Sequence, residues 1–249
     1  MSRRSGRFTP RLVWLFAAAT AYTAGVFLHL PVTDAVEWLL PRMGLAAYDR
    51  LWTVTAAVLG LAASGFFWSR DPSAKAAAVS ALWLLLAVIV LAQALLVVAP
   101  IEFVHYPQYA VVAGLLARAG LPLEWTWLMS VGLGMLDEGH QRLVLPRGTP
   151  DYFDWNDVVL NATGAAMGLT LLSAVPHQRW RLTFTRRFTI VALAAAAAAA
   201  LVLAPPVLRP YLTETPRHTW FRVLSPVEAV GLLGVIWICV RRLSHGAGS

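Results

Sequence analysis

The stretch Leu136–Gly168 reads LDEGHQRLVLPRGTPDYFDWNDVVLNATGAAMG. It carries Asp137, Glu138, His140, Gln141 and Arg142, then Arg147, then Asp151, Asp154, Asn156, Asp157 and Asn161, and it closes on Gly164 and Gly168. The 249-residue chain around it is greasy, 58% hydrophobic and only 13% charged. Ionisable groups concentrated this way in such a chain need an environment that pairs or hydrates them.

Working outward, uncharged runs of about 17 residues or more recur along the chain, each long enough to cross a bilayer as a helix. They are continuously apolar and rich in Ala and Leu. Transmembrane β-strands would alternate apolar with polar residues, so the pattern disfavours a β-barrel. The expected fold is all-α, a polytopic transmembrane helical bundle. The net charge of +7 comes from 19 Arg and one Lys against 13 acids. These basic residues cluster between apolar runs, where they meet lipid headgroups and set topology, and no nucleic-acid partner is read from them. The single cysteine, Cys239, lies in an apolar run and excludes an intramolecular disulfide.

Eight spans are expected, near 12–28, 51–68, 76–99, 101–119, 123–141, 156–175, 189–203 and 226–240. The first follows Arg3, Arg4, Arg7 and Arg11 and resembles a signal peptide, with Ala19-Thr20-Ala21 as a cleavage-like site. Its apolar run continues to Leu28, so a retained helix is the preferred reading. Residues 32–40 have an amphipathic spacing, with Asp34 and Glu37 opposite Val32, Val36 and Leu40, and read as a short surface helix ended by Pro41. Three blocks result: 1–99, a three-span extension with that surface helix; 100–175, a core holding the polar cluster; and 176–249, a basic loop, two further spans and a short tail.

Eight spans put both termini on one side. Thirteen of the 20 Lys and Arg fall on that side and seven on the other. Positive charge stays cytoplasmic, so the expected topology is N-in/C-in, with the opening cluster facing outward.

Length fixes the depth of the polar residues. Leu123 to Leu136 makes roughly 21 Å of helix at about 1.5 Å per residue, against a hydrocarbon core of about 30 Å. Asp137, Glu138 and His140 therefore fall in the outer part of the fifth span. Glu102, His105 and Tyr109 fall in the first turns of the fourth, and Asp157 and Asn161 in the first turns of the sixth. Helical spacing puts Glu102, His105 and Tyr109 on one face and Asp137, His140 and Gln141 on another, and lets Glu138 reach Arg142 at i+4. Asp157, Asn161, Gly164 and Gly168 form a polar-to-small stripe whose glycines admit a close neighbour.

Structural explanations stand beside the functional one. Acids at helix starts, such as Glu102 and Asp157, suit the helix dipole, and Asn156 is placed to cap. Glu138 with Arg142 reads equally as a structural ion pair. Asp137 and Glu138 sit toward a helix C-terminus, where the dipole disfavours them. Acids, imidazoles and amides on three consecutive spans, at one depth and one side, favour a site.

The run Asp137-Glu138-x-His140-Gln141, then Arg147, then Asp157-x-x-x-Asn161-x-x-Gly164-x-x-x-Gly168, resembles the signature of the VanZ-like family, and Glu102-x-x-His105 with Tyr109 resembles that family's upstream helix. The likeness covers residues 100–172. It implies a multi-pass protein of the bacterial inner membrane and a link to glycopeptide resistance of the teicoplanin type. It does not define a reaction.

Two functions fit. One is an accessory envelope protein whose cluster binds a polar headgroup or partner. The other is an enzyme on a lipid-linked envelope substrate, with Asp137, Glu138 and His140 as acid–base groups and Glu102, His105, Tyr109, Gln141, Arg147, Asp157 and Asn161 binding. The expected partners are membrane lipids, lipid-linked envelope intermediates or other envelope proteins. A metal on Glu102, His105, His140 and Asp157 is a variant of the enzyme reading. With no H-E-x-x-H and no Cys pair, neither metal nor cofactor is assigned from sequence. A channel or transporter is disfavoured, because the polar residues gather at one end and do not line a path.

Overall fold

The computed structural model describes residues 10–68, 100–144, 153–173 and 224–246, together with positions 86, 87, 89 and 96. All regular structure among the described residues is helical, as the apolar runs predict: α1 (Pro10–Met43), α2 (Leu45–Trp68), a 3-10 turn (Pro100–Val104), α3 (His105–Arg118), α4 (Leu123–Val144), α5 (Trp155–Ser173) and α6 (Pro226–Gly246). The expected spans near 76–99 and 189–203, and Arg147, lie outside the described residues.

One boundary differs from expectation. The first span and the surface helix are a single 34-residue rod, α1, that runs through Pro31 and Pro41. Proline at 31 removes a helix donor. In the same stretch the Thr33 hydroxyl donates to the His29 carbonyl at 2.9 Å. The helix stops where Gly44 takes φ +77° and returns its N–H to the Leu40 carbonyl at 2.8 Å. α3 ends the same way. Gly120 takes φ +82°, and Leu121 donates back to the Leu116 carbonyl at 3.4 Å, so the next helix can start after Pro122. Ser225 and Glu228 form a reciprocal capping box at the start of α6, with Pro226 at the first helical position.

α5 is the central post. Every residue from Trp155 to Ala166 is buried, and α3, α4 and α6 all pack on it. The contact with α3 is backbone on backbone. A β-carbon at Gly164 would stand 2.5 Å from the Tyr106 carbonyl oxygen, and one at Gly168 would stand 2.7 Å from Ala110 Cα. The small stripe on α5 is thus a packing surface, as its spacing predicts. α4 is tied to α5 by Trp127, whose indole N–H donates to the Ala162 carbonyl at 3.0 Å. Trp237 of α6 packs its ring 5.6 Å from that of Trp127. α1 joins from the outside through Ala18, which packs with Val112 and Leu116, and through Tyr22, which donates to the Leu133 carbonyl at 3.2 Å.

Asn156 does a different job from the capping role its position predicts. Asp154 caps α5, accepting from the Asn156 N–H at 2.8 Å. The Asn156 amide instead bridges two distant segments. Its Nδ2 donates to the Leu96 carbonyl at 3.0 Å, and its Oδ1 accepts from the Leu224 N–H at 2.9 Å.

Because the α3–α5 contact is made by main chain, no rotamer change relieves an added side chain. Gly164→Val or Gly168→Leu is expected to destabilise the protein by about 1–3 kcal/mol or more. Gly132→Ala, on α4 with nothing within 4 Å of an added β-carbon, is expected to cost nothing. Thermal unfolding of the detergent-solubilised chain checks both.

Candidate functional site

The antiparallel order of α3, α4 and α5 carries the start of α3, the end of α4 and the start of α5 to one end of the bundle. His105 is the first residue of α3, Asp137 and Glu138 lie near the end of α4, and Asp157 is in the first turn of α5. All four are buried, with 2%, 3%, 3% and 7% of their surface exposed. Each sits against a neighbour that sequence spacing alone cannot name.

His105 Nε2 lies 3.2 Å from Asp157 Oδ2, linking α3 to α5. The Tyr109 hydroxyl donates to Asp137 Oδ2 at 3.4 Å, linking α3 to α4. Gln141 Nε2 donates to Glu138 Oε1 at 3.2 Å along α4. Among the described residues Glu138 takes this amide and forms no ion pair with Arg142, so the i+4 pair is not made. One donor atom each from His105, Glu138 and Asp157 falls within 4.8 Å of the other two. The carboxyls of Asp137 and Glu138, adjacent in sequence, diverge. Asp137 turns to Tyr109, and Glu138 turns to His105 and Asp157.

The remaining predicted residues surround this centre. Glu102 is on the 3-10 turn, half-buried, and its charge reaches His105 and Glu138. His140 is half-buried, with Nδ1 enclosed and without a hydrogen-bond partner among the described residues. Asn161 is fully buried one turn beyond Asp157, against Gly134 of α4, and neither atom of its amide has a partner among the described residues. Asp157 Oδ1 is likewise buried and without a partner among the described residues. The carboxyl of Asp154, which precedes α5, is pushed up to about 7 by burial and by the like charge of Asp157.

His29 was not among the residues singled out by spacing, yet it belongs here. It lies on α1, and the charges of His105, Asp137, Asp157 and His140 all act on it. In sequence it directly follows the apolar run ending at Leu28, the one signal that places it at the end of the expected first span. His29 also lines an apolar groove of about 390 Å³ between α1 and α3, with Ala24, Gly25, Leu28, Pro107 and Gln108.

Chemically, the arrangement offers imidazoles beside carboxylates in a site of low polarity. Such pairs accept and donate protons, and such donors hold cations. No protein-family model, curated protein or solved structure matches this chain.

A buried pair shares its energy between two residues. His105→Ala and Asp157→Ala are each expected to cost about 3–5 kcal/mol by orphaning the other. The double variant should cost less than their sum by at least about 1 kcal/mol. Strict additivity in a double-mutant cycle of unfolding free energies would show that the two do not interact.

Proposed function

We propose that the chain is a VanZ-like integral membrane protein of the bacterial cell envelope, an eight-span bundle in the inner membrane with both termini inside. Its outward acid–imidazole cluster binds the polar headgroup of a lipid or lipid-linked envelope intermediate. The link to resistance against teicoplanin-type glycopeptides comes with the family resemblance and rests on the same residues.

The observation that carries the reading is an inverted distribution of polarity. His105, Glu124, Asp137, Glu138, Asn156, Asp157 and Asn161 are buried, while Phe16 and Phe27 of α1, Val58 and Leu61 of α2, Leu143 of α4 and Val227 of α6 are each more than half exposed. A surface of this kind suits lipid better than water. Among the described residues α1 is the one helix long and apolar enough to cross a bilayer by length and composition. Its Ala18 and Tyr22 are built into the bundle, which supports a retained span over a cleaved signal. The residues that carry the VanZ resemblance, apart from Arg147, come together or pack on one another across α3, α4 and α5. The groove between α1 and α3 shares His29 with the cluster, so an acyl chain in the groove would bring its headgroup toward the imidazoles and carboxylates.

A second reading, an enzyme on a lipid-linked substrate, is favoured by the His105–Asp157 contact. A carboxylate at 3.2 Å orients an imidazole for proton transfer. Comparing lipid-linked envelope intermediates in cells with and without the protein separates the two. Turnover depletes one species and accumulates another, whereas binding alone leaves the pool unchanged.

Native mass spectrometry of the purified chain is expected to find a co-purified lipid. Glu138→Gln and His140→Ala should lose that lipid and any glycopeptide phenotype while keeping the melting temperature. Variants that keep lipid and phenotype and lose only thermal stability would assign the cluster to folding alone.

A further inference from the structure

We propose that His105, Glu138 and Asp157 are the protein's ligands to one divalent first-row metal ion, bound between α3, α4 and α5. The sequence alone offered Glu102, His105, His140 and Asp157 as a variant ligand set; the structure keeps His105 and Asp157 and brings in Glu138, the three coming from three helices with no contiguous motif. The inference is independent of the lipid reading, since it concerns the protein's own donors and is measured without lipid ligand.

Three observations converge. The first is donor geometry. Two ligands each about 2.0–2.2 Å from one ion stand about 3.0–3.5 Å apart at tetrahedral or octahedral angles. His105 Nε2 and Asp157 Oδ2 stand 3.2 Å apart, and Glu138 completes a set within 4.8 Å. The second is unbalanced charge. The His105–Asp157 pair, even with the imidazole protonated, neutralises one carboxylate. The other groups whose charges bear on Glu138 are Asp157, Asp154, Asp137 and Glu102, every one an acid. Buried carboxyls this close either hold protons or take a cation, and a dication balances the deprotonated set in one step. The third is unmet bonding capacity. Asp157 Oδ1 and both amide atoms of Asn161 are enclosed and without partners among the described residues, at the centre of the cluster and one turn from it. Buried polar atoms are rarely left so.

The chemistry of the set narrows the ion. One imidazole nitrogen and two carboxylates, with no thiolate, suit zinc or manganese better than a soft monovalent ion. Gln141, which donates to Glu138 Oε1 at 3.2 Å, orients that ligand from outside the set, as supporting residues in metal sites do.

The test uses the full chain purified in detergent, stripped with a chelator and titrated with Zn²⁺, with Co²⁺ as the spectroscopic probe. The expected result is one ion per chain, a visible Co²⁺ absorption band showing nitrogen ligation, and a melting temperature that rises with Zn²⁺ and falls back on chelation. Glu138→Gln and Asp157→Asn should each weaken binding more than 10-fold. Asp34→Asn, an exposed acid on α1, should not change it. Equal affinity in wild type and the Glu138→Gln/Asp157→Asn variant would overturn the proposal. Should that variant not fold, the wild-type melting temperature decides alone, and no rise with Zn²⁺ overturns the proposal equally.

Discussion

At the centre of the bundle two main chains meet directly. At Gly164 and Gly168, α5 presents no side chain, and the backbone of α3 at Tyr106 and Ala110 fills the space. Everything at the polar end follows from that contact. It fixes the rotation of α5, and the same face that carries the two glycines carries Asn161 and Asp157 one and two turns earlier. With α3 held this close, its first residue, His105, is opposite Asp157. A larger residue at either glycine would separate the helices and with them the pair.

Burying this cluster is costly, and the cost shapes its surroundings. Trp127 and Trp237 seal the middle of the bundle, and the Asn156 amide holds the segments at Leu96 and Leu224 against the start of α5. Apart from Glu124, the buried ionisable groups among the described residues gather at the end where α3 and α5 begin and α4 finishes. The outward faces of α1, α2 and α6 carry large apolar side chains. Carboxylates inside and phenylalanines outside are the distribution on which the proposed membrane setting rests.

The sequence was informative where periodicity and length control the outcome. The helices α4, α5 and α6 begin within a residue of the apolar runs that predict them, and the glycine stripe reads directly as a packing face. Depth arithmetic placed acids and imidazoles from three helices at one end. It could not choose partners. Glu138 has Arg142 at helical spacing, but its position across from α3 and α5 gives it Gln141, His105 and Asp157 as neighbours. Asn156 looked like a cap because of its place in sequence, whereas its role depends on Leu96 and Leu224, which are 60 and 68 residues away. Pro41 signalled the end of a separate surface helix, whereas α1 runs continuously from Pro10 to Met43. His29 lay just past an apolar run, and only the docking of α1 on α3 brings it to the cluster.

The contact between His105 and Asp157 concentrates these relations in one distance. Solid-state NMR of the chain in lipid bilayers, with ¹⁵N in histidine rings and ¹³C in aspartate carboxyls, measures it directly. The 3.2 Å approach requires strong dipolar dephasing between the two labels in the wild type and its loss in Asp157→Asn. Dephasing absent from the wild type, or unchanged in the variant, would mean that the helix ends stand apart and that the polar centre does not form.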